Sequence, residues 1–180
     1  NGNLIKEDAD AAKKLLEEGL DEEGMKLEDL NGTVILFNTD ESHKNIAQAI
    51  QQMWNKAFGV NFQLENSEFK VVIDRRKEGD YKIARAGWVG DYLDPNTMLD
   101  IMVTDNGNND VFYSNPEYDK LMEEASSSLD DKVRFEKMAE AEKVLIEDMA
   151  VAPIYFYTQP YLQKPYLTGV YKLSLIHISE

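Results

Sequence analysis

The first half of the chain alternates between apolar residues at helical spacing and short apolar runs. Val34 to Phe37 form a continuous apolar run that suits a buried strand. Connections of more than a dozen residues between successive strands predict parallel pairing. The pattern therefore predicts a mixed α/β fold, with a largely parallel sheet flanked by helices. The predicted helices span residues 7–20, 40–59 and 67–79, and the predicted strands span 34–37, 60–64 and 81–88.

The second half of the chain is predicted to be mostly helical. Asn115 followed by Pro116 is typical of a capped helix start, and an apolar face follows it. Serines at 126–128 separate this helix from a longer one over about 130–149, and residues 152–157 are predicted to return as a strand. The residues expected to point inward from these two helices are Tyr118, Leu121, Met122, Ala125, Val133, Met138, Ala141, Leu145 and Ile146.

The last nine residues continue none of these patterns. SLIHISE resembles translated read-through of a cloning or sequencing adapter, so we expect residues 172–180 to be a non-native tail. Residues 1–171 are then expected to form one α/β lobe. Because residue 1 is Asn and no secretory signal is visible, we expect the chain to be a fragment of a longer protein.

Composition excludes several classes of function. The net charge of −15 argues against nucleic acid and anionic lipid as partners, because both require clustered Lys and Arg. The chain has no cysteine, which excludes disulfides, thiolate zinc sites and a thiol nucleophile. His43 and His177 are far apart in sequence, and His43 is expected at the surface. We therefore expect no metal and no cofactor.

The segment AGWVGDYLDP, residues 86–95, carries the most suggestive chemistry. Paired carboxylates at Asp91 and Asp94 could serve a glycosidase, but their position beside a proline is more typical of a turn. Arg85, Trp88 and Asp91 instead lie at a predicted strand end, where α/β sheets bind ligands. A carboxylate, cations and aromatic walls would suit a zwitterion.

Several structural roles remain open for the same residues. Trp88 could be an ordinary core residue, and Arg85 could be held in a salt bridge. A basic cluster at 75–77 and an aromatic cluster at 155–157 could belong to the site, although the aromatic run is also typical of a sheet core.

Three ordered stretches show a family resemblance. They are GDYKIARAGWVGDYLDPNTMLDIM, NNDVFYSNPEYDKLMEEA and AVAPIYFYTQPYLQKP, and the upstream segment from LFNTDESHKN to VVIDRR agrees with them. Together they resemble the oligopeptide-binding proteins of bacterial ABC importers, which belong to the peptide- and nickel-binding group of extracytoplasmic solute-binding proteins. The likeness covers roughly residues 5 to 170 and implies the C-terminal lobe of a two-lobe, type II periplasmic-binding-protein fold.

The resemblance also implies roles for particular residues. Asp91 would receive the α-amino group of a bound peptide, and main-chain hydrogen bonds would give affinity independent of sequence. Lys77 and Phe69 depart from the residues typical of the family, so no particular peptide length is implied. The other implied site residues are Trp88, Arg85 and Phe69 lining the pocket, Arg76 and Lys77 facing the peptide C-terminus, and Tyr155 and Tyr157 along the peptide backbone.

The resemblance places the parent protein outside the cytoplasmic membrane, as a lipoprotein or in the periplasm, where it would deliver peptides to an ABC permease. It implies a binding protein and not an enzyme, with the N-terminal lobe missing here, so that peptide binding by the fragment would be weak or absent. Three alternatives remain: a dipeptide, nickel complex or sugar as ligand; a carboxylate-based hydrolase; and self-association of the fragment through the surface that its partner lobe would cover.

Overall fold

The protein is described by a computed structural model that covers residue 4, residues 7–158 and residues 162–168. These residues group into two compact units, one formed by residues up to 87 with 110–112, the other by 88–109 with the residues from 113 onward. The expected non-native tail at 172–180 lies outside the described residues. The single lobe expected over residues 1–171 stays a prediction.

The first unit is an α/β structure built on a three-stranded parallel sheet. The strand order is β2-β1-β3, with Val34 opposite Gln63 and Ile35 opposite Ile83. The central strand is the continuous apolar run seen in the sequence, and four of its five residues are buried. Its elements are α1 (Ala9–Glu22), a 3-10 turn (Leu27–Leu30), β1 (Val34–Asn38), α2 (Glu41–Phe58), β2 (Gln63–Ser67), α3 (Phe69–Glu78) and β3 (Ile83–Ala84).

Local capping fixes the helix that follows β1. The Asp40 carboxylate accepts a hydrogen bond from the His43 backbone N–H at 3.0 Å and starts α2. The helix ends at Gly59, whose φ of 73° is the left-handed conformation that glycine adopts without strain. Trp54 then packs edge-on against Phe62 with ring centroids 5.4 Å apart, beside the buried Ile35. The predicted α2 and its apolar face thus form one layer on the sheet.

The second unit is helical. Its elements are α4 (Asn96–Leu99), a 3-10 turn (Asp100–Met102), α5 (Pro116–Ser127) and α6 (Asp131–Glu147). The Asn115 side chain caps α5 as predicted, accepting hydrogen bonds from the Glu117 and Tyr118 backbone N–H groups. The core of this unit consists of Leu99, Tyr118, Leu121, Met122, Ala125, Met138, Ala141 and Leu145.

Five predictions about the elements are corrected by the structure. Residues 152–157 form no strand in the described part of the chain, where they are irregular and Tyr155 and Tyr157 are about half exposed. The third strand is confined to Ile83–Ala84, and β2 begins three residues later than predicted. The apolar face predicted for α1 is largely exposed: Leu15 is 71% exposed, and Leu20 is the buried residue of that helix. In α6, Val133 is exposed where an inward position was predicted.

The predicted fold class, a mixed α/β structure with a parallel sheet, is confirmed. Among the described helices, none is both long enough and apolar enough to cross a bilayer.

Candidate functional site

Asp91 lies in a bend of the second unit, between Trp88 and the start of α4. Its backbone N–H donates a hydrogen bond to Oγ1 of Thr97 at 3.1 Å. Its side chain is exposed, and within the described part of the chain its carboxylate accepts no hydrogen bond and forms no ion pair. The backbone at Asp91 is therefore held while the charge remains available to solvent or a ligand.

Asp94, three residues further on, has a different environment. The Arg134 guanidinium binds it at two points, with Nη1 2.9 Å from Oδ2 and Nη2 2.5 Å from Oδ1. Asp94 Oδ1 also accepts a hydrogen bond from the Asn96 backbone N–H at 2.9 Å. The hydrogen bonds from Arg134 lower the pKa of Asp94. The predicted turn role of Asp94 is confirmed, and an ionised carboxylate in this arrangement is poorly suited to act as a general acid.

Trp88 and Gly90 complete this segment. The Trp88 side chain is partly buried, and its Nε1 is shielded from solvent without a hydrogen-bond partner among the described residues. A Cβ added at Gly90 would lie 2.8 Å from the Cγ2 methyl of Thr97, so the close approach of the segment to α4 requires glycine. Gly90 and Asp91 thus contact the start of α4 through Thr97.

Arg85 belongs to the first unit and follows β3. Its backbone N–H donates to the Leu36 carbonyl at 2.7 Å, which places it at the carboxyl end of the sheet. Its Nη1 approaches Oδ1 of the buried Asn38, the last residue of β1, at 3.3 Å. The carboxyl ends of parallel strands are where α/β sheets place their ligands.

His43 lies near Arg85, although the sequence predicted it at the surface. That prediction is wrong, since the His43 side chain is only 12% exposed. Burial, and next the positive charge of Arg85, lower its pKa. Neither Asn38 nor His43 was singled out as a site residue. The available signal was that Asn38 ends a buried strand of a parallel sheet and that His43 lies in the first turn of the helix that follows it.

The predicted basic cluster on α3 is mostly paired within the first unit. Arg75 forms ion pairs with Glu65 at 2.6 Å and Asp80 at 2.9 Å. Arg76 forms an ion pair with Asp110 at 2.9 Å. Lys77 is exposed and has no ion pair with any residue that the structure describes. Phe69, the first residue of α3, is 59% exposed.

Tyr155 and Tyr157 lie in the second unit, in the segment predicted as a strand. Their ring centroids are 4.8 Å apart with a 60° angle between the rings, and both side chains are about half exposed. They are therefore not sheet core. Of the eight predicted site residues, four (Phe69, Arg76, Lys77 and Arg85) belong to the first unit and four (Trp88, Asp91, Tyr155 and Tyr157) to the second.

Comparison with known proteins identifies the family. Residues 1–110 match the model described as bacterial extracellular solute-binding proteins, family 5 Middle. The chain belongs to this family. This membership confirms the family predicted from the motifs around Trp88 and Asp91.

Relatives of this solute-binding protein include several peptide binders. The chain is 44% identical over 165 residues to the oligopeptide-binding protein OppA of Bacillus subtilis (strain 168), which covers 91% of this chain and 30% of that protein. It is 42% identical over 135 residues to the periplasmic murein peptide-binding protein MppA of Escherichia coli (strain K12), covering 75% of this chain and 25% of that protein.

Solved structures agree with the sequence relatives. The crystal structure of Haemophilus influenzae OppA in complex with the peptide RPPGFSPFR matches with a TM-score of 0.77 and 36% identity, covering 92% of this chain and 34% of that chain. This chain therefore spans about a third of the length of such relatives. The α/β fold is shared with these peptide-binding proteins.

Proposed function

We propose that this chain is the C-terminal ligand-binding lobe of an oligopeptide-binding protein that delivers peptides to an ABC importer. The main structural support is the Asp91 carboxylate, which is exposed and has no partner among the described residues. Peptide-binding relatives, among them OppA of Bacillus subtilis at 44% identity, support the ligand class. The parent protein would act outside the cytoplasmic membrane, in keeping with the extracellular family and the periplasmic relatives.

Charge pairing explains how the site would hold a peptide without reading its sequence. The Asp91 carboxylate accepts hydrogen bonds from the α-ammonium group, since it has no competing partner among the described residues. Trp88 packs against the first residue of the peptide, and Tyr155 and Tyr157 contact its backbone. In the first unit, taken by itself, Lys77 is exposed and has no ion pair among the described residues, so its charge is available to a ligand carboxylate. Arg76 contributes less than the sequence indicated, because Asp110 already neutralises it.

The proposed role is binding, with no chemical step. Asp94 is held by Arg134, so the Asp91 and Asp94 pair does not provide both a free base and a protonated acid. Peptide release to the permease would follow from opening of the two lobes of the intact protein. The isolated chain would bind peptide weakly or not at all, because the other lobe would supply half of the buried surface.

Calorimetry on the intact protein that contains this chain would test the proposal. A tripeptide with a free amino group is expected to bind, and Asp91→Asn is expected to cost at least ~2 kcal/mol, or roughly 30-fold in Kd. Asp105→Asn is the matched control, because Asp105 is also exposed and its carboxylate forms no hydrogen bond within the described chain.

Acetylation of the peptide amino group provides the second arm of the experiment. The wild-type protein should lose about as much affinity on acetylation as on the Asp91→Asn change, and the two losses should not add. Additive losses, or an unchanged Kd in Asp91→Asn, would remove Asp91 from the site. Binding of dipeptides alone, with no binding of tri- to pentapeptides, would favour a dipeptide carrier instead, a class to which the 36% identical relative DppE of Bacillus subtilis (strain 168) belongs by name.

A further inference from the structure

We infer that Thr97, supported by the Asp94–Arg134 ion pair, is a positioning residue that aims the Asp91 carboxylate at the ligand's ammonium group. The inference rests on the proposed function and assigns a role to three residues outside the predicted site. It concerns only the second unit, where all of these residues lie.

The first observation is the isolation of the Asp91 side chain. Its carboxylate is exposed and makes no contact with a described donor, so side-chain partners cannot fix its direction. The direction is set instead by the backbone on which it stands. That backbone is fixed at one point by the 3.1 Å hydrogen bond from the Asp91 N–H to the Thr97 hydroxyl oxygen.

The second observation is the rigidity of Thr97 itself. Its side chain is only 6% exposed, and its methyl group packs so closely on Gly90 that no side chain fits there. The Thr97 backbone N–H donates to the Asp94 carbonyl at 3.3 Å, and Leu99, two residues later, is part of the buried core. Thr97 therefore links the Asp91 backbone to a well-packed part of the unit.

The third observation is the anchor that joins this turn to α6. Arg134 holds Asp94 through two hydrogen bonds, and the same Asp94 carboxylate accepts from the Asn96 N–H. Asn96 Nδ2 in turn donates to the Tyr92 hydroxyl at 2.8 Å. The segment from 91 to 97 is thus closed by hydrogen bonds at both ends and connected to a long helix.

The physical consequence is preorganisation. A charged group that is held in its binding direction before the ligand arrives loses less conformational freedom on binding than a mobile one. The Thr97 hydroxyl and the Arg134 ion pair should therefore raise affinity for peptides with a free amino group. They should have little effect on the binding of peptides whose amino group is blocked.

The test compares affinities for one tripeptide in its free and N-acetylated forms, measured with the intact protein. The measured quantity is the dissociation constant for the N-acetylated peptide divided by the dissociation constant for the free peptide. A larger ratio means a stronger preference for the free amino group. Thr97→Val removes the acceptor and keeps the shape of the side chain, so the ratio should fall about five- to tenfold. Thr97→Ser keeps the hydroxyl and should retain the wild-type ratio. Arg134→Gln removes the anchor and should lower the ratio in the same direction.

Lys137→Gln is the matched control on α6. Lys137 forms ion pairs with Glu124 and Glu140, and it forms no ion pair with any described residue of 88–97. This variant should leave the ratio unchanged, even where it lowers stability. The ratio thereby separates positioning of Asp91 from a general loss of structure.

The outcomes distinguish this inference from the proposed function. If wild type shows no preference for the free amino group, or if Asp91→Asn retains the preference, the proposed ammonium site itself fails. If Asp91 carries the preference and both Thr97→Val and Arg134→Gln retain the wild-type ratio, the positioning role is overturned. Equal losses in Thr97→Val and Thr97→Ser would also overturn it, because the hydroxyl would then be irrelevant. Should Thr97→Val fail to fold, Arg134→Gln decides.

Discussion

Arg76 and Asp110 form an ion pair within the first unit, with Nη2 2.9 Å from Oδ2 and side chains that are only 18% and 13% exposed. The Asp110 carbonyl also accepts a hydrogen bond from the Tyr81 hydroxyl at 2.6 Å. The pair joins α3 to a segment far away in sequence. The charge of Arg76 thus stabilises the unit, and the ligand-facing role that the family resemblance implied for it stays a prediction.

Removing one partner of this pair should destabilise the protein. Asp110→Asn leaves the shielded guanidinium without its counter-charge, so we expect the free energy of unfolding to fall by about 2 kcal/mol. Urea unfolding should show a lower midpoint with an unchanged slope.

Lys132→Gln is a suitable comparison for Asp110→Asn, because it removes an exposed pair with Glu136 at 3.9 Å. The cost of that change should be below ~0.5 kcal/mol. A wild-type midpoint in Asp110→Asn would contradict the structural role of the pair and would return Arg76 to the list of ligand-binding residues.

The contrast between Arg76 and β1 shows what the sequence could and could not predict. The strand at Val34 to Phe37 and the cap at Asn115 were predictable, because each is determined by a few neighbouring residues. The ion pair of Arg76 with Asp110 joins positions 34 residues apart (110 − 76), and no local signal reports it.

The segment around the candidate site shows the same division. The chemistry of this segment was visible in the motif from Trp88 to Asp91. The contact of Arg134 with Asp94 was not predictable, because it joins residues 40 positions apart. The strand predicted at 152–157 failed for a related reason. Aromatic and β-branched residues favour a strand, but a strand forms only where another one pairs with it.

Tyr118 should contribute to stability through its hydroxyl as well as its ring. It is fully buried, and its hydroxyl donates to the Leu99 carbonyl at 2.6 Å. Tyr118→Phe removes this buried hydrogen bond, so we expect a loss of about 1 kcal/mol in the free energy of unfolding. Tyr166→Phe is the control, since Tyr166 is 78% exposed. Equal urea midpoints for the two variants would show that the buried hydrogen bond adds nothing.

His43 should make stability depend on pH near neutrality. Burial, followed by the charge of Arg85, lowers its pKa in the folded state below the ordinary value of 6.5. Protonation therefore favours the unfolded state, so the contribution of His43 is fully present above pH 6.5 and is lost as the pH falls through that value.

The His43→Gln variant tests this pH dependence. We expect it to lose less stability than wild type between about pH 7.5 and about pH 5, as measured by urea midpoints at each pH. An NMR titration of the wild type, with the His43 signal assigned by its absence from the variant, should give a midpoint below 6.5. A midpoint at or above that value would show that the imidazole is solvated or paired with an acid.

Gly90 provides a steric test of the segment that carries Asp91. In Gly90→Ala the new Cβ would lie 2.8 Å from the Thr97 methyl group, so the backbone beside Asp91 must shift. We expect affinity for a peptide with a free amino group to fall about tenfold, because the carboxylate no longer points in its binding direction. Gly107→Ala is the matched control, since a Cβ there meets nothing within 4 Å.

A second substitution should reverse the effect of Gly90→Ala. Thr97→Ser removes the clashing methyl group and keeps the hydroxyl that accepts from the Asp91 N–H. The double variant should therefore bind more tightly than Gly90→Ala alone, although Thr97→Ser by itself should not improve on wild type. Rescue of this kind cannot come from a general gain in stability, because removing a buried methyl group normally costs stability. Without rescue, the loss in Gly90→Ala would have to arise from something other than the contact with Thr97.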